Sequence, residues 1–222
     1  MKNFRKNATH FVFLERNRYM NKLRFYFSKE PSVKYVGHLD LIEVFDRAFR
    51  RAKMPLTFSE GFNPRPKLSF AHPLAVGISS IGEIGEIELE DKVEIADFIN
   101  RMNEALPSGI RILSADYVEE KKALMALVTS AEYKIELEGE KLSEEALKAF
   151  FEQEEIVIDK KNKKKQIVQV NVKDMILDYK IDGLNVWVKL MAGNEKTLRP
   201  DLLVNKINGV DDFRICREKI NI

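Results

Sequence analysis

Strand-like and helix-like patterns of apolar residues follow one another in a fixed order along the first half of the chain. Alternation of apolar and polar residues indicates half-buried strands, and apolar residues at helical spacing indicate two amphipathic helices. The strands are expected at residues 23–28, 56–59, 68–71, 83–89 and 110–118, and the helices at residues 37–53 and 93–106. With the short runs at 56–59 and 68–71 taken as one interrupted strand, the order β-α-β-β-α-β predicts a ferredoxin-like unit, in which two helices cover one face of an antiparallel sheet.

The second half partly repeats this layout and predicts a second, smaller α+β unit. Its strands are expected at residues 132–138, 156–159, 167–171, 175–181, 185–190 and 213–217, its helices at 143–153 and 199–207, and a basic turn at 160–165. We therefore expect an α+β chain with a ferredoxin-like domain at residues 20–118 and a second domain at residues 131–222. Residues 1–19 precede the first clean strand and are expected to be a poorly ordered leader.

Cysteine usage and the absence of cofactor motifs exclude several classes of protein. Cys216 is the only cysteine among 222 residues, so the chain can form neither an internal disulfide nor a multi-thiolate zinc or iron–sulfur site. The sequence contains no Walker loop and no Gly-x-Gly-x-x-Gly after a strand, and we expect no cofactor and no metal. A single cysteine is typical of a reducing compartment, which predicts a cytoplasmic protein. No apolar run approaches the roughly 18 residues that span a bilayer, so no membrane partner is expected.

The net charge of +2 conceals strong segregation of charge along the chain. Residues 1–72 carry 15 Lys and Arg against 6 Asp and Glu, a net of +9, whereas residues 83–155 carry 8 against 20, a net of −12. Such blocks predict a molecule with a basic side and an acidic side. The basic side suits either nucleic acid or an acidic protein.

The helix at residues 37–53 is the most informative segment. At about 100° per residue, Asp40, Arg47 and Arg51 fall in one stripe away from the apolar face, and Arg50 lies beside them. One interpretation is a row of guanidinium groups that binds phosphates or carboxylates. The other is a solvated face stabilised by the i,i+4 pairs Glu43–Arg47 and Asp46–Arg50.

Histidines at the ends of predicted elements are the candidate bases. His38 lies at the start of the helix and projects toward its apolar side, and Asp40 lies where a carboxylate favours the helix dipole. His72 precedes Pro73 at the end of a strand. Both histidines could be structural, or His38 and Asp40 could contact a ligand at the helix N-terminus.

The loop at residues 61–67 contains two prolines and is predicted to be stiff. Arg65 and Lys67 supply positive charge, while Phe62 and Asn63 could stack on and hydrogen-bond to a base, as in proteins that bind single-stranded nucleic acid. The alternative is a proline-stabilised crossover with Phe62 packed into the core. The sequence favours neither.

Several segments together resemble a known family. These are residues 35–41, Arg47, Arg50, Arg51, residues 58–70, 73–77 and 79–83, and residues 198–203 with Arg199. They resemble the radical-SAM-linked family, an uncharacterised bacterial domain found behind, or encoded beside, radical SAM proteins that carry a B12-binding-type region. The chain lacks the cysteine triplet of a radical SAM domain, so the resemblance implies the stand-alone accessory form. It also implies a radical SAM protein as partner and RNA or tRNA modification as the setting.

Three functional hypotheses follow. The favoured one is a non-catalytic accessory protein of a radical SAM enzyme that binds RNA, that enzyme, or both. Its contact residues would be His38, Asp40, Arg47, Arg50, Arg51, Phe62, Asn63, Arg65, Lys67 and Arg199. The second is an RNA-processing endonuclease with paired ferredoxin-like domains and His38 or His72 as general base. The third is a protein-binding scaffold that uses the acidic residues 83–155.

Overall fold

The structure is a computed structural model that describes residues 21–161, 166–193 and 195–222, and it shows a mixed α+β protein built around one large sheet. The expectations for the leader at residues 1–19 and for most of the basic turn at 160–165 lie outside the described residues. The strands are β1 Lys22–Lys29, β2 Leu68–Phe70, β3 Ser79–Glu88, β4 Ile110–Tyr117, β5 Ser130–Glu138, β6 Val157–Lys161, β7 Ile167–Asn171, β8 Ile176–Asp182, β9 Asn185–Met191 and β10 Asp212–Asn221. The helices are α1 His38–Arg51, α2 Ile95–Ala105, α3 Leu124–Leu127, α4 Glu144–Glu152 and α5 Pro200–Val204.

The large sheet runs continuously through both halves of the chain. Its order is β4-β1-β3-β10-β5-β9-β8, and the short strand β2 also pairs with β3. The last strand, β10, is parallel to β3 and antiparallel to β5, so it joins the first half to the second. Strands β6 and β7 form a separate hairpin. Strands β10 and β2 pair with different parts of β3. The ferredoxin-like layout and the division into two domains stay predictions.

Residues 56–59 differ from the predicted strand. They form only isolated bridges, between Leu56 and Leu89 and between Phe58 and Pro66. The physical reason is that Pro55, Pro64 and Pro66 have no backbone N–H and cannot sustain a ladder. The segment is therefore an irregular connection between α1 and β2.

The first half has an aromatic core under α1 and α2. Phe25 and Phe27 on β1 contact Phe45 on α1, with ring centroids 5.5 and 4.9 Å apart, and Phe98 on α2 packs against Phe25 at 6.1 Å. Helix α1 forms because its apolar residues recur at helical spacing and bury one stripe against these rings. Helix α2 begins at Glu94, whose carboxylate accepts hydrogen bonds from the Ala96 and Asp97 amides.

The second half has its own aliphatic core between the sheet and α4. Leu147 and Phe151 on α4 are buried against the inward side chains of β5 and β9, including Ile135 and Val188. The Ser143 hydroxyl accepts a hydrogen bond from the Ala146 amide at 3.2 Å and begins α4 as the sequence predicts. In the part of the chain that the structure describes, no helix is both long enough and apolar enough to cross a membrane.

The two halves of the chain meet where β10 pairs with β3, and the backbones of these strands lie very close together at Gly82. Cys216 and Arg217 of β10 pair with Ser79 and Ser80 of β3. A β-carbon added at Gly82 would overlap the carbonyl oxygen of Glu218 on β10. Glycine at this position therefore permits the two halves to share one sheet.

Replacing Gly82 by alanine should destabilise the protein by about 2–3 kcal/mol, because backbone atoms on β3 or β10 must move apart. Urea unfolding followed by circular dichroism measures the loss. Gly37→Ala is the control, since its added β-carbon meets only the Asp40 and Val76 side chains and the loss of a glycine N-cap should cost about 1 kcal/mol or less. Equal stability of the two variants would contradict this account of the contact between β3 and β10.

Candidate nucleic-acid interface and a buried ionic cluster

Two arginines of α1 form the i,i+4 pairs that are predicted for a solvated helix face. The Arg47 guanidinium lies 3.4 Å from the Glu43 carboxylate, and the Arg50 Nε donates to Asp46 at 2.8 Å. Both arginine side chains are more than half exposed. Exposed i,i+4 pairs contribute only about 0.3–0.5 kcal/mol, so a polyanion can displace these carboxylates at small cost.

Arg50 points away from the two other arginines of α1. The Arg51 guanidinium donates to the Ala105 carbonyl at 2.7 Å, at the end of α2. The Arg50 guanidinium instead lies over the Phe58 ring, 5.3 Å from its centroid, on the side of the irregular connection. Arg47 and Arg51, which the sequence places in one stripe with Asp40, line a common groove beside Ala105. Arg50, predicted to lie beside that stripe, instead contacts Phe58.

Residues 59–65 form a closed loop beside Arg50, which we call the tip loop. The Ser59 amide donates to the Arg65 carbonyl at 2.8 Å, and the Arg65 amide donates to the Ser59 hydroxyl at 3.0 Å. Gly61 has φ +122°, a backbone conformation that L-residues rarely adopt. These bonds, together with the prolines, fix the base of the loop next to α1.

The side chains at the end of the tip loop are free. Phe62 is fully exposed, with 112% relative accessibility, and the alternative that places it in the core is wrong. Asn63 and Arg65 are exposed as well, and their side chains have no hydrogen-bond or ion-pair partner in the described part of the chain. Lys67, by contrast, pairs with Glu88 at 3.0 Å. The structure thus brings an unpartnered ring, amide and guanidinium together on one stiff loop.

Two other predicted contact residues lie elsewhere. Arg199 immediately precedes α5 in the second half and pairs with Asp201 at 2.6 Å. Asp40 lies in the first turn of α1, where its charge favours the helix dipole, and Gly37 rather than Asp40 is the N-cap residue. Neither residue contacts the tip loop through any described interaction.

The residues at the centre of the molecule were missed by sequence reasoning. Arg217 on β10 is 0% exposed and Glu83 on β3 is 3% exposed. The Arg217 Nε donates to Glu83 Oε1 at 2.7 Å, and a second nitrogen of the same guanidinium donates to the His72 carbonyl at 2.9 Å. Burial disfavours the charge of Arg217, but attraction to Glu83 and hydrogen bonds to Glu83 and Tyr133 together outweigh it, so the pKa of Arg217 is raised.

A second buried cation lies beside this pair. Lys29, at the end of β1, is 1% exposed, and its ammonium donates to the Lys34 carbonyl at 2.9 Å and to the Ile78 carbonyl at 3.5 Å. Burial lowers the pKa of Lys29, and attraction to Glu83 opposes that effect. Lys29 therefore holds two neighbouring loops together, and Glu83 is the carboxylate that balances both cations.

Both candidate histidines face this ionic cluster. Burial, and then repulsion from Arg217, lowers the pKa of His72 from its ordinary value of 6.5 to about 4. Burial also lowers the pKa of His38, whose ring lies 6.0 Å from the Phe70 ring. The His72 imidazole, with a pKa of about 4, is a weak general base at pH 7. In the described residues no group of three or more His, Cys, Asp or Glu could hold a metal ion.

The strand register, rather than the sequence alone, marks both residues of the cluster as core positions. Glu83 pairs with Phe27, and paired residues on antiparallel strands project to the same face, so Glu83 occupies a core position. Arg217 lies two residues from the buried Ile215 in β10 and therefore on the same inward face. Charged residues at inward strand positions require a partner, although the sequence does not identify it.

This arrangement defines a mixed α+β protein with a buried ionic centre and an exposed loop that carries an unpartnered ring, amide and guanidinium. The chain belongs to a family described as an uncharacterized protein conserved in bacteria (DUF2344), whose model matches residues 22–200. No curated protein matches the chain.

Solved structures with a related backbone show only distant similarity. A crystal structure of a Cbf5-Nop10-Gar1 complex aligns with 12% identity and a TM-score of 0.45, covering 92% of this chain and 50% of that chain. A crystal structure of the archaeal box H/ACA sRNP Nop10-Cbf5 complex aligns with 9% identity and a TM-score of 0.39, covering 91% of this chain and 48% of that chain. The chain therefore spans about half the length of these structures.

Replacing Glu83 by glutamine should cost about 3–5 kcal/mol, because Arg217 and Lys29 then remain buried without a countercharge. Chemical unfolding measures the loss. Glu88→Gln is the control, since it removes a partly exposed carboxylate that pairs with Lys67 and should cost less than about 1 kcal/mol. If Arg217→Met lowers the free energy of unfolding by the same amount in the Glu83→Gln variant as in the wild type, the two residues are not coupled.

Stability should fall as the pH drops from about 6.5 to about 4, because the unfolded His72 binds a proton that the folded His72 does not. The effect should be about 1 kcal/mol between pH 7 and pH 5.5, with His38 acting in the same direction. Urea unfolding at both pH values, repeated on His72→Gln, measures it. The variant retains the His72 carbonyl and should show a smaller pH dependence, whereas an identical dependence would contradict the assignment.

Proposed function

We propose that this protein is a non-catalytic accessory module that binds RNA through the tip loop and Arg50, and that it serves a radical SAM enzyme with a B12-binding-type region. The observation that carries the proposal is the set of free side chains at Phe62, Asn63 and Arg65 on a loop fixed to α1. An aromatic ring, an amide and a guanidinium are the groups that proteins use to stack on bases, read base edges and contact phosphates.

The electrostatics of the first half support an anionic ligand. Residues 1–72 have a net charge of +9, and within the described part of this segment Arg65 is a guanidinium without an intramolecular partner. Arg50 keeps two guanidinium nitrogens besides the Nε that bonds to Asp46. Both groups can therefore contact phosphates with little rearrangement of the fold.

The radical SAM partner is supported by the sequence resemblance in residues 35–83, which include both α1 and the tip loop. An accessory role fits the low pKa of His72, because an imidazole with a pKa of about 4 is a weak general base at pH 7. RNA modification by a radical SAM enzyme requires the substrate to be held while the enzyme acts. We assign the holding of RNA to this protein and the chemistry to its partner.

The double variant Arg50→Ala/Arg65→Ala should weaken binding of short RNA and reduce the salt dependence of the binding constant. The loss of two phosphate contacts should lower the magnitude of the log–log salt slope by about 1.4 for a single strand. Fluorescence anisotropy at several salt concentrations measures both quantities. Arg111→Ala/Lys160→Ala is the charge-matched control, because both residues are exposed and lie outside the tip loop.

The same experiment separates the proposal from its alternatives. If the wild-type protein binds no RNA at low salt, the protein-binding scaffold is the better account. If the purified protein cleaves RNA and His38→Gln abolishes cleavage, the endonuclease is correct and the accessory role is wrong. Equal loss of binding in the control and in the double variant would show that net charge matters and the tip loop does not.

A further inference from the structure

The three free side chains of the tip loop differ in what they can recognise. Arg65 can contact any phosphate, in single-stranded or duplex RNA alike. Phe62 cannot, because a phenyl ring offers only an apolar face and edge. The exposed Phe62 ring can therefore distinguish between forms of RNA that Arg65 binds equally.

A base must have an open face before a ring can stack on it. In an RNA helix each base is covered above and below by its neighbours, and the deep, narrow major groove excludes side chains. An exposed phenylalanine therefore gains contact area only from an unpaired base in a single strand, a loop, a bulge or a frayed end. Asn63, the next residue, can donate to and accept from the edge of such a base.

The base of the tip loop is closed before any ligand arrives. The two hydrogen bonds between Ser59 and Arg65 close the loop, and the Phe58–Pro66 bridge continues the closure at its base. The Arg50 guanidinium over the Phe58 ring joins that base to α1. A loop held in this way loses little conformational entropy on binding, so stacking on Phe62 contributes most of its free energy to affinity.

We infer that the ligand of the tip loop is an unpaired nucleotide, with its base stacked on Phe62 and its phosphate next to Arg65. This inference rests on the proposed RNA-binding function and specifies which form of RNA is bound. A base bulged from a structured RNA satisfies the geometry as well as a free single strand does. Perfect duplex RNA does not satisfy it.

Three RNA probes and four proteins test the inference. The probes are a short single strand, a hairpin that displays the same sequence in its loop, and a perfect duplex of that sequence. Wild type should bind the first two more tightly than the duplex. Phe62→Ala should weaken binding to the single strand by about ten- to hundredfold and leave duplex binding unchanged, whereas Phe62→Tyr, which keeps the ring, should retain wild-type affinity. Arg65→Ala should weaken binding to all three probes.

A stacking signal gives an independent readout. With 2-aminopurine in the single strand, wild type should change the probe's fluorescence on binding, and saturating Phe62→Ala should not reproduce that change. If Phe62→Ala keeps full affinity for the single strand while Arg65→Ala loses it, RNA binding stands and base stacking is wrong. Phe62 would then be free for a protein partner. If no probe binds wild type, the proposed function itself fails.

Discussion

The buried pair of Arg217 and Glu83 is the interaction on which the rest of the structure depends. It joins the last strand of the chain to a strand of the first half, across the line where the two hydrophobic cores meet. A salt bridge in this position contributes little net free energy relative to a hydrophobic contact, because both charges are removed from water. Its effect is to disfavour other arrangements, since any displacement of β10 against β3 would leave a buried charge without a partner.

Lys29 extends this constraint from the sheet to the surface. Its ammonium is attracted by the charge of the Glu83 carboxylate. It donates hydrogen bonds to the carbonyls of Lys34 and Ile78, on two loops that flank the start of α1. The Gly77 amide also donates to the Lys34 carbonyl at 3.0 Å, so the loops are bonded to each other as well. The position of α1 is thus determined at one end by the ionic cluster and along its length by the aromatic core.

The parts that could be predicted from the sequence are those governed by local periodicity. Helix α1 was expected at residues 37–53 and is found at His38–Arg51, and Ser143 begins α4 as its side-chain chemistry predicts. Two features depend on contacts distant in sequence and could not be predicted. Arg217 and Glu83 are 134 positions apart, and the path of β10 between β3 and β5 follows from no local pattern. The exposure of Phe62 was equally undetermined, because a proline-rich turn fits both a buried and an exposed ring.

The arginines of α1 and the side chains of the tip loop differ in their intramolecular contacts. The arginines of α1 satisfy part of their hydrogen-bonding capacity within the protein, with Glu43, with Asp46 and with the Ala105 carbonyl. They tie the helix to itself and to α2, and a ligand must compete with those contacts. Phe62, Asn63 and Arg65 have no such competing contacts in the described chain, and the loop that carries them is already closed. Under the proposed function, the tip-loop side chains can therefore contact a ligand without giving up intramolecular contacts, whereas Arg50 must exchange part of its pairing with Asp46 for a phosphate.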